Sequence, residues 1–125
     1  MRIALIGYGK MGKAIEEVAI HRGHQVVIKI DQPNLHEFTK ENMLQADAAI
    51  EFTSPHSAYD NIKKCLAFDI PVVCGSTGWT GKLDEMKKMC EERNGSFVYS
   101  SNYSVGVNIF FEVNKRLATL MAPHK

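Results

Sequence analysis

At 125 residues, 45% hydrophobic and 23% charged, the chain has the size and make-up of a single globular domain, which excludes disordered and fibrous classes. A formal net charge of +1 gives no footing for a nucleic-acid partner, and no apolar run approaches the roughly 20 residues of a membrane span. Three cysteines, Cys65, Cys74 and Cys90, have neither metal-type nor redox-type spacing, so reduced thiols in a cytoplasmic protein are expected. No secretory signal is expected either, because Arg2 is followed by only four apolar residues before Gly7.

The apolar run Ile3-Ala4-Leu5-Ile6 reads as a buried strand, and Gly7, Gly9 and Gly12 follow it with the G-x-G-x-x-G spacing of a dinucleotide turn. Gly7 suits the tight turn, Gly9 the approach of a pyrophosphate, and Gly12 close packing of helix on sheet. Ile15, Val18 and Ala19 then predict a helix over residues 11–22 that stops at Gly23. The next strand is predicted at residues 25–30, with Asp31 at its end, nineteen residues past Gly12, where a dinucleotide fold keeps its ribose-binding acid. A carboxylate there accepts from the ribose diol and repels a 2′-phosphate, so NADH is expected over NADPH, with Lys10 and Lys29 as partial offsets. The alternative for Asp31 is a turn residue leading into Gln32-Pro33-Asn34.

Residues 32–45 are polar and poorly periodic, with at most a short helix at 40–44. A strand at 48–52 is followed by the break Thr53-Ser54-Pro55 and a helix over 57–68 that places Ala58, Ile62, Cys65 and Leu66 on one stripe. Residues 72–74 read as a short buried strand opening into Gly75-Ser76-Thr77-Gly78, then comes a helix over 83–93 with Leu83, Met86, Met89 and Cys90 inward. A fifth strand at 97–99 runs into the polar stretch 100–104, and a last helix covers 107–122.

Strands alternating with helices predict an α/β fold, a Rossmann-like doubly wound parallel sheet in a single domain. Its strand-to-helix loops gather at the carboxyl edge of the sheet, where such folds bind ligands. Thr53-Ser54 and Ser76-Thr77 read either as helix caps or as ligand contacts. Gly75 and Gly78 permit close approach of the backbone to a flat ring, and Tyr103 reads as a stacking platform in preference to a core aromatic. Gly75 to Gly81 is one residue too long for a P-loop, no Gly-x-Ser-x-Gly elbow supports a hydrolase, and no histidine lies in a zinc-type set. In the last helix Ile109, Phe110, Phe111, Val113, Leu117, Leu120 and Met121 span too wide an arc for a helix with one face in solvent, so a further domain is expected against it.

Glu51-Phe-Thr-Ser-Pro-His56, Gly75-Ser-Thr-Gly-Trp79 and Ser101-Asn-Tyr-Ser-Val-Gly-Val-Asn108 together resemble the amino-terminal domain of the dihydrodipicolinate reductase family. The resemblance covers essentially the whole chain. It implies a nicotinamide-dependent reductase of lysine and diaminopimelate synthesis acting on a small cyclic dicarboxylate, an enzyme whose full-length form is a homotetramer. It assigns Gly7, Tyr8, Gly9, Lys10, Met11 and Gly12 to the pyrophosphate, Asp31 to the adenine ribose, and Phe52 and Thr53 to the adenosine and pyrophosphate side. Gly75, Ser76 and Thr77 fall at the nicotinamide, with Thr77 and Gly78 beside the substrate, while Ser101, Asn102 and Tyr103 pack the nicotinamide ring and amide. Three features depart from the family pattern: a glycine loop one residue shorter, a short segment between Asp31 and Ala48, and Tyr103 in place of phenylalanine.

The family's catalytic His-His-x-x-Lys segment has no counterpart in the 125 residues, so no catalytic residue is assigned. The expected organisation is a dinucleotide domain over 1–106 and a connecting helix over 107–125 leading toward a substrate-binding and tetramerisation domain. On this reading the chain binds NADH, or less well NADPH, without turnover. The alternatives are a non-enzymatic NADH-sensing module and another two-domain amino-acid dehydrogenase.

Overall fold

The computed structural model describes residues 1–124. Five strands, β1 (Arg2–Ile6), β2 (Gln25–Ile30), β3 (Ala48–Glu51), β4 (Val72–Cys74) and β5 (Phe97–Tyr99), form one sheet in the order β2-β1-β3-β4-β5. Every pairing is parallel, and β1 meets β3 in the register Ile3 to Ala48 through Ile6 to Glu51. The chain steps outward from β1 to β2, then returns across β1 to build β3, β4 and β5 on the other side. The gap between the ends of β1 and β3 is therefore the switch point of a doubly wound sheet.

The alternation of side chains along β1 divides the interior into two layers. Ile3 and Leu5 pack with Ala19 of α1 (Lys10–His21) on one face. Ala4 and Ile6 enter the larger core on the other, with Ile62, Cys65 and Leu66 of α3 (Ala58–Ala67) and Met86 of α4 (Leu83–Glu92). The stripe expected on α3 is the buried one, and Ala58, Ile62, Cys65 and Leu66 are all enclosed. Each aliphatic chain so enclosed contributes about 2 kcal/mol of apolar burial.

Two regions differ from the sequence expectation. Residues 32–45 hold a 3-10 turn, Gln32–Glu37, ahead of the short α2 (Lys40–Met43), and they send Phe38 and Met43 into the main core. Periodicity fails there because Phe38 closes a 3-10 turn and Met43 a helix of only four residues, which leaves no repeating signal. The last helix, α5 (Val105–Met121), begins two residues earlier than expected, because Ser104 caps it by accepting from Val107 N–H at 3.4 Å. None of its 17 residues is buried, with Ile109, Phe110, Leu117 and Leu120 all exposed.

Candidate functional site

The glycine turn is held by backbone geometry that a side chain would break. Gly7 has φ +93° and donates its N–H to Ile30 O at 2.8 Å, and a Cβ there would stand 2.0 Å from Phe52 O. A Cβ on Gly12 would stand 2.3 Å from Gly7 O, so the third glycine fits the helix to the turn itself, where packing against the sheet was expected. Gly9 differs from both, since nothing lies within 4 Å of where its Cβ would be. It is also the N-cap of α1 and offers no side-chain cap, which leaves the first-turn N–H groups open to an anion. Tyr8 donates its hydroxyl to Glu16, and Lys29 pairs with the same carboxylate at 3.2 Å while lying 4.7 Å over the Tyr8 ring. The Tyr8 bond holds the Glu16 carboxyl below the usual carboxylate value, and the Glu16 bond holds the Lys29 ammonium above its own.

A cavity of about 450 Å³ opens at the switch point, lined among others by Gly7, Tyr8, Gly9, Asp31, Phe52 and Thr53. Asp31 lines this cavity and also caps the turn that follows it. Oδ1 accepts from Gln32 N–H at 2.9 Å, and Asp31 makes a capping box with Asn34, its carboxylate facing the Asn34 backbone N–H while its own N–H donates to Asn34 Oδ1 at 2.7 Å. The lining carries a second acid, Asp60, and His56, but no lysine or arginine. Lys29 is committed to Glu16, and Lys10, like Met11 and Gly12, sits on the first turn of α1 outside this lining, so the offset expected from the two lysines is not built into the cavity.

Behind Thr53 lies a residue the sequence reading passed over. Glu51 is 0% exposed, yet it ends a strand. Its Oε1 accepts from Thr53 N–H at 3.1 Å and from the Thr53 hydroxyl, and its Oε2 accepts from the Cys74 thiol at 2.9 Å. Thr53 N–H also donates to Ser76 Oγ at 2.7 Å, which joins the β3 and β4 loops. Thr53 therefore binds both Glu51 and Ser76, Ser54 meets Ser57 Oγ at 2.8 Å, and the helix-cap reading fails for Thr53, Ser54 and Ser76: Ser57 is the N-cap of α3 and Trp79 that of the short 3-10 turn Thr80–Lys82. An acid following Ala48-Ala49-Ile50 without a break was the available signal, because a strand end that faces solvent seldom needs three donors around one carboxylate.

The loops at the other end of the edge are packed inward. A Cβ on Gly75 would stand 2.0 Å from the Phe52 ring, so the flat ring that Gly75 admits is the protein's own. Gly78 has φ +81° and lies against Pro55, and Thr77 beside it is exposed. Trp79 is buried against Phe97 and Tyr99, with Nε1 donating to Ser76 O at 2.8 Å, so it sits beneath this loop in the core. Tyr103 donates to Cys74 O at 2.9 Å and lies 6.4 Å from Phe52, its other side facing the exposed start of α5. Burial raises its phenol above the usual value. Asn102 takes its N–H to Ser100 Oγ at 3.2 Å, and Ser101 is exposed. Gly75, Ser76, Thr77, Ser101, Asn102 and Tyr103 all lie outside the lining of the switch-point cavity.

A family model described as dihydrodipicolinate reductase, N-terminus, matches residues 1–103. The chain belongs to that family. It is 43% identical over 122 residues to the 4-hydroxy-tetrahydrodipicolinate reductase of Christiangramia forsetii, covering 97% of this chain and 50% of that protein. The namesake from Methanobrevibacter smithii is 38% identical over 88 residues, 70% of this chain and 32% of its own length. The reductase-family chain thus spans about half the length, or less, of these relatives. Among solved structures, the dipicolinate-bound dihydrodipicolinate reductase from Paenisporosarcina sp. TG-14 aligns with TM-score 0.74 at 20% identity, over 99% of this chain and 54% of that one. A hyperthermophilic archaeal homoserine dehydrogenase in complex with NADPH aligns at 0.62 with 16% identity, over 80% of this chain and 43% of that one, a likeness of fold.

Proposed function

We propose that the chain is the nicotinamide-cofactor domain of a 4-hydroxy-tetrahydrodipicolinate reductase of lysine and diaminopimelate synthesis, and that it takes NADH in preference to NADPH. The observation that carries the preference is the switch-point cavity, where the open backbone of Gly9 and the Asp31 carboxylate meet in a lining without a cation. The α1 N-terminus would hold the pyrophosphate, the Asp31 carboxylate would accept from the adenine ribose, and a 2′-phosphate would meet two carboxylates in a lining with no lysine or arginine. The bound nicotinamide supplies the hydride. Ser76, Thr77, Ser101, Asn102 and Tyr103 form the protein side of its subsite, and Thr77 and Gly78 stand nearest the substrate. The cyclic dicarboxylate is supported as substrate by the names of the relatives and by the dipicolinate bound to the Paenisporosarcina enzyme. Residues 1–106 form the dinucleotide domain, and the bare apolar surface of α5 fits a further substrate-binding and assembly domain of a cytoplasmic homotetramer. Calorimetric titration with NADH and NADPH tests the reading: tighter NADH binding is the expected result, and equal or tighter NADPH binding overturns the preference.

A further inference from the structure

Every group that reaches the buried Glu51 carboxyl is a donor: the Thr53 amide, the Thr53 hydroxyl and the Cys74 thiol. The Thr53 hydroxyl has one proton, and that proton goes to Glu51. Its lone pairs accept from Ser57 Oγ at 2.9 Å and from Asn61 Nδ2 at 3.2 Å, which completes its capacity. Ser57 thus gives its single proton to Thr53, and in the 2.8 Å contact between Ser54 and Ser57 the donor must be Ser54. Three hydroxyl protons in succession point away from the cavity and toward one buried carboxylate.

Ser54, Ser57, Thr53 and Asn61 all line the switch-point cavity. With the hydroxyl protons directed inward, what the hydroxyls of this wall offer a ligand is the lone pairs of Ser54 Oγ, in the cavity that already holds the carboxylates of Asp31 and Asp60. Such a surface accepts from ribose hydroxyls. A phosphate monoester, carrying close to two negative charges and three acceptor oxygens, finds no hydroxyl donor on it.

We propose that Glu51 is a specificity-determining positioning residue: acting through Thr53, it fixes the direction of the Ser54–Ser57–Thr53 hydroxyl chain and so makes the cavity wall select a ribose diol over a 2′-phosphate. The inference rests on the reading of this cavity as the adenosine side of the cofactor site.

The test measures dissociation constants for NADH and NADPH on the wild-type chain, Thr53→Val and Glu51→Gln, with Tm recorded for each. Thr53→Val keeps the shape but removes the relay, freeing the serine protons to turn toward the cavity, and the NADH-over-NADPH ratio is expected to fall about tenfold, the size of one hydrogen bond to a charged group. In Glu51→Gln the amide oxygen still accepts from Thr53, and the ratio is expected to stay within about threefold of wild type. A destabilised fold weakens both cofactors alike and leaves the ratio unmoved, so an unchanged ratio in Thr53→Val overturns the proposal. Loss of the preference in Glu51→Gln overturns it too, since that assigns the effect to the bare charge. Wild type that binds NADH with either variant result tests this inference alone, whereas wild type that binds neither nucleotide removes the cofactor reading and the inference with it.

Discussion

The two ends of the sheet's carboxyl edge are built on different terms. Between β1 and β3 the loops close on a cavity of about 450 Å³, with Gly9 bare, Asp31 capping its turn and a ring of hydroxyls anchored on Glu51. Beyond β4 the loops turn their groups inward: Gly75 receives Phe52, Ser76 receives Thr53 and Trp79, and Tyr103 reaches back to Cys74. Beside them α5 buries no residue at all. The first end makes a recessed surface from this chain's own residues. The second offers a platform, well anchored underneath and open above.

Substitutions at the two ends should separate these modes. The largest effect is expected for Gly7→Ala, which combines positive φ with overlap on the Phe52 carbonyl and should cost about 3 kcal/mol or more in urea denaturation. Gly9→Ala meets no atom, so it should leave the denaturation midpoint in place and act on cofactor affinity only. If both variants unfold alike, the contrast between the sealed and the open glycine is wrong. Next comes Gly75→Ala, expected to cost about 2 kcal/mol in the wild-type background and less than about 0.5 kcal/mol when Phe52 is also replaced by alanine. A double-mutant cycle with no coupling would sink the Phe52 contact.

Asp31→Ala removes one ribose acceptor and one cap. The expected outcome is about tenfold weaker NADH binding, a smaller change for NADPH, and about 1 kcal/mol of stability lost with the cap. Equal weakening of both nucleotides would show that the carboxylate serves the turn alone. Alkaline titration probes the floor under the second end. Burial pushes the Cys65 thiol from 9.0 up to about 12 and raises Cys74 as well, where the Glu51 bond adds to burial. Below pH 9 both thiols are protonated in folded and unfolded chains. Above it the unfolded chain loses protons that the folded chain keeps, so stability should decline between about pH 9 and 12, by roughly 1 kcal/mol per pH unit for each thiol. Stability that holds steady from pH 8 to 10.5 would contradict the burial. The smallest effect belongs to α5, where Phe110→Ser should change stability by less than about 0.5 kcal/mol, against about 3 kcal/mol for Ile62→Ala on α3.

The order of elements was legible because it rests on local signals. Residues 25–30, 72–74 and 97–99 carry short apolar runs between breakers, and the strands fall on those residues. The glycine turn and the place of Asp31 at the end of β2 were legible for the same reason, since both follow directly on a strand. What stayed hidden joins residues far apart in the chain. Glu51 meets Cys74 twenty-three residues on, Thr53 meets Ser76 at the same separation, and the flat ring over Gly75 comes from another loop. No window of sequence contains both partners of such a contact. Phe38 and Met43 were missed because the 3-10 turn before them erases the helical period.

The Phe52 ring occupies the space where residue 75 would carry its side chain. One volume is thereby shared between two positions, and neither can grow unless the other shrinks. Related chains that enlarge position 75 should be those that carry a small residue at 52.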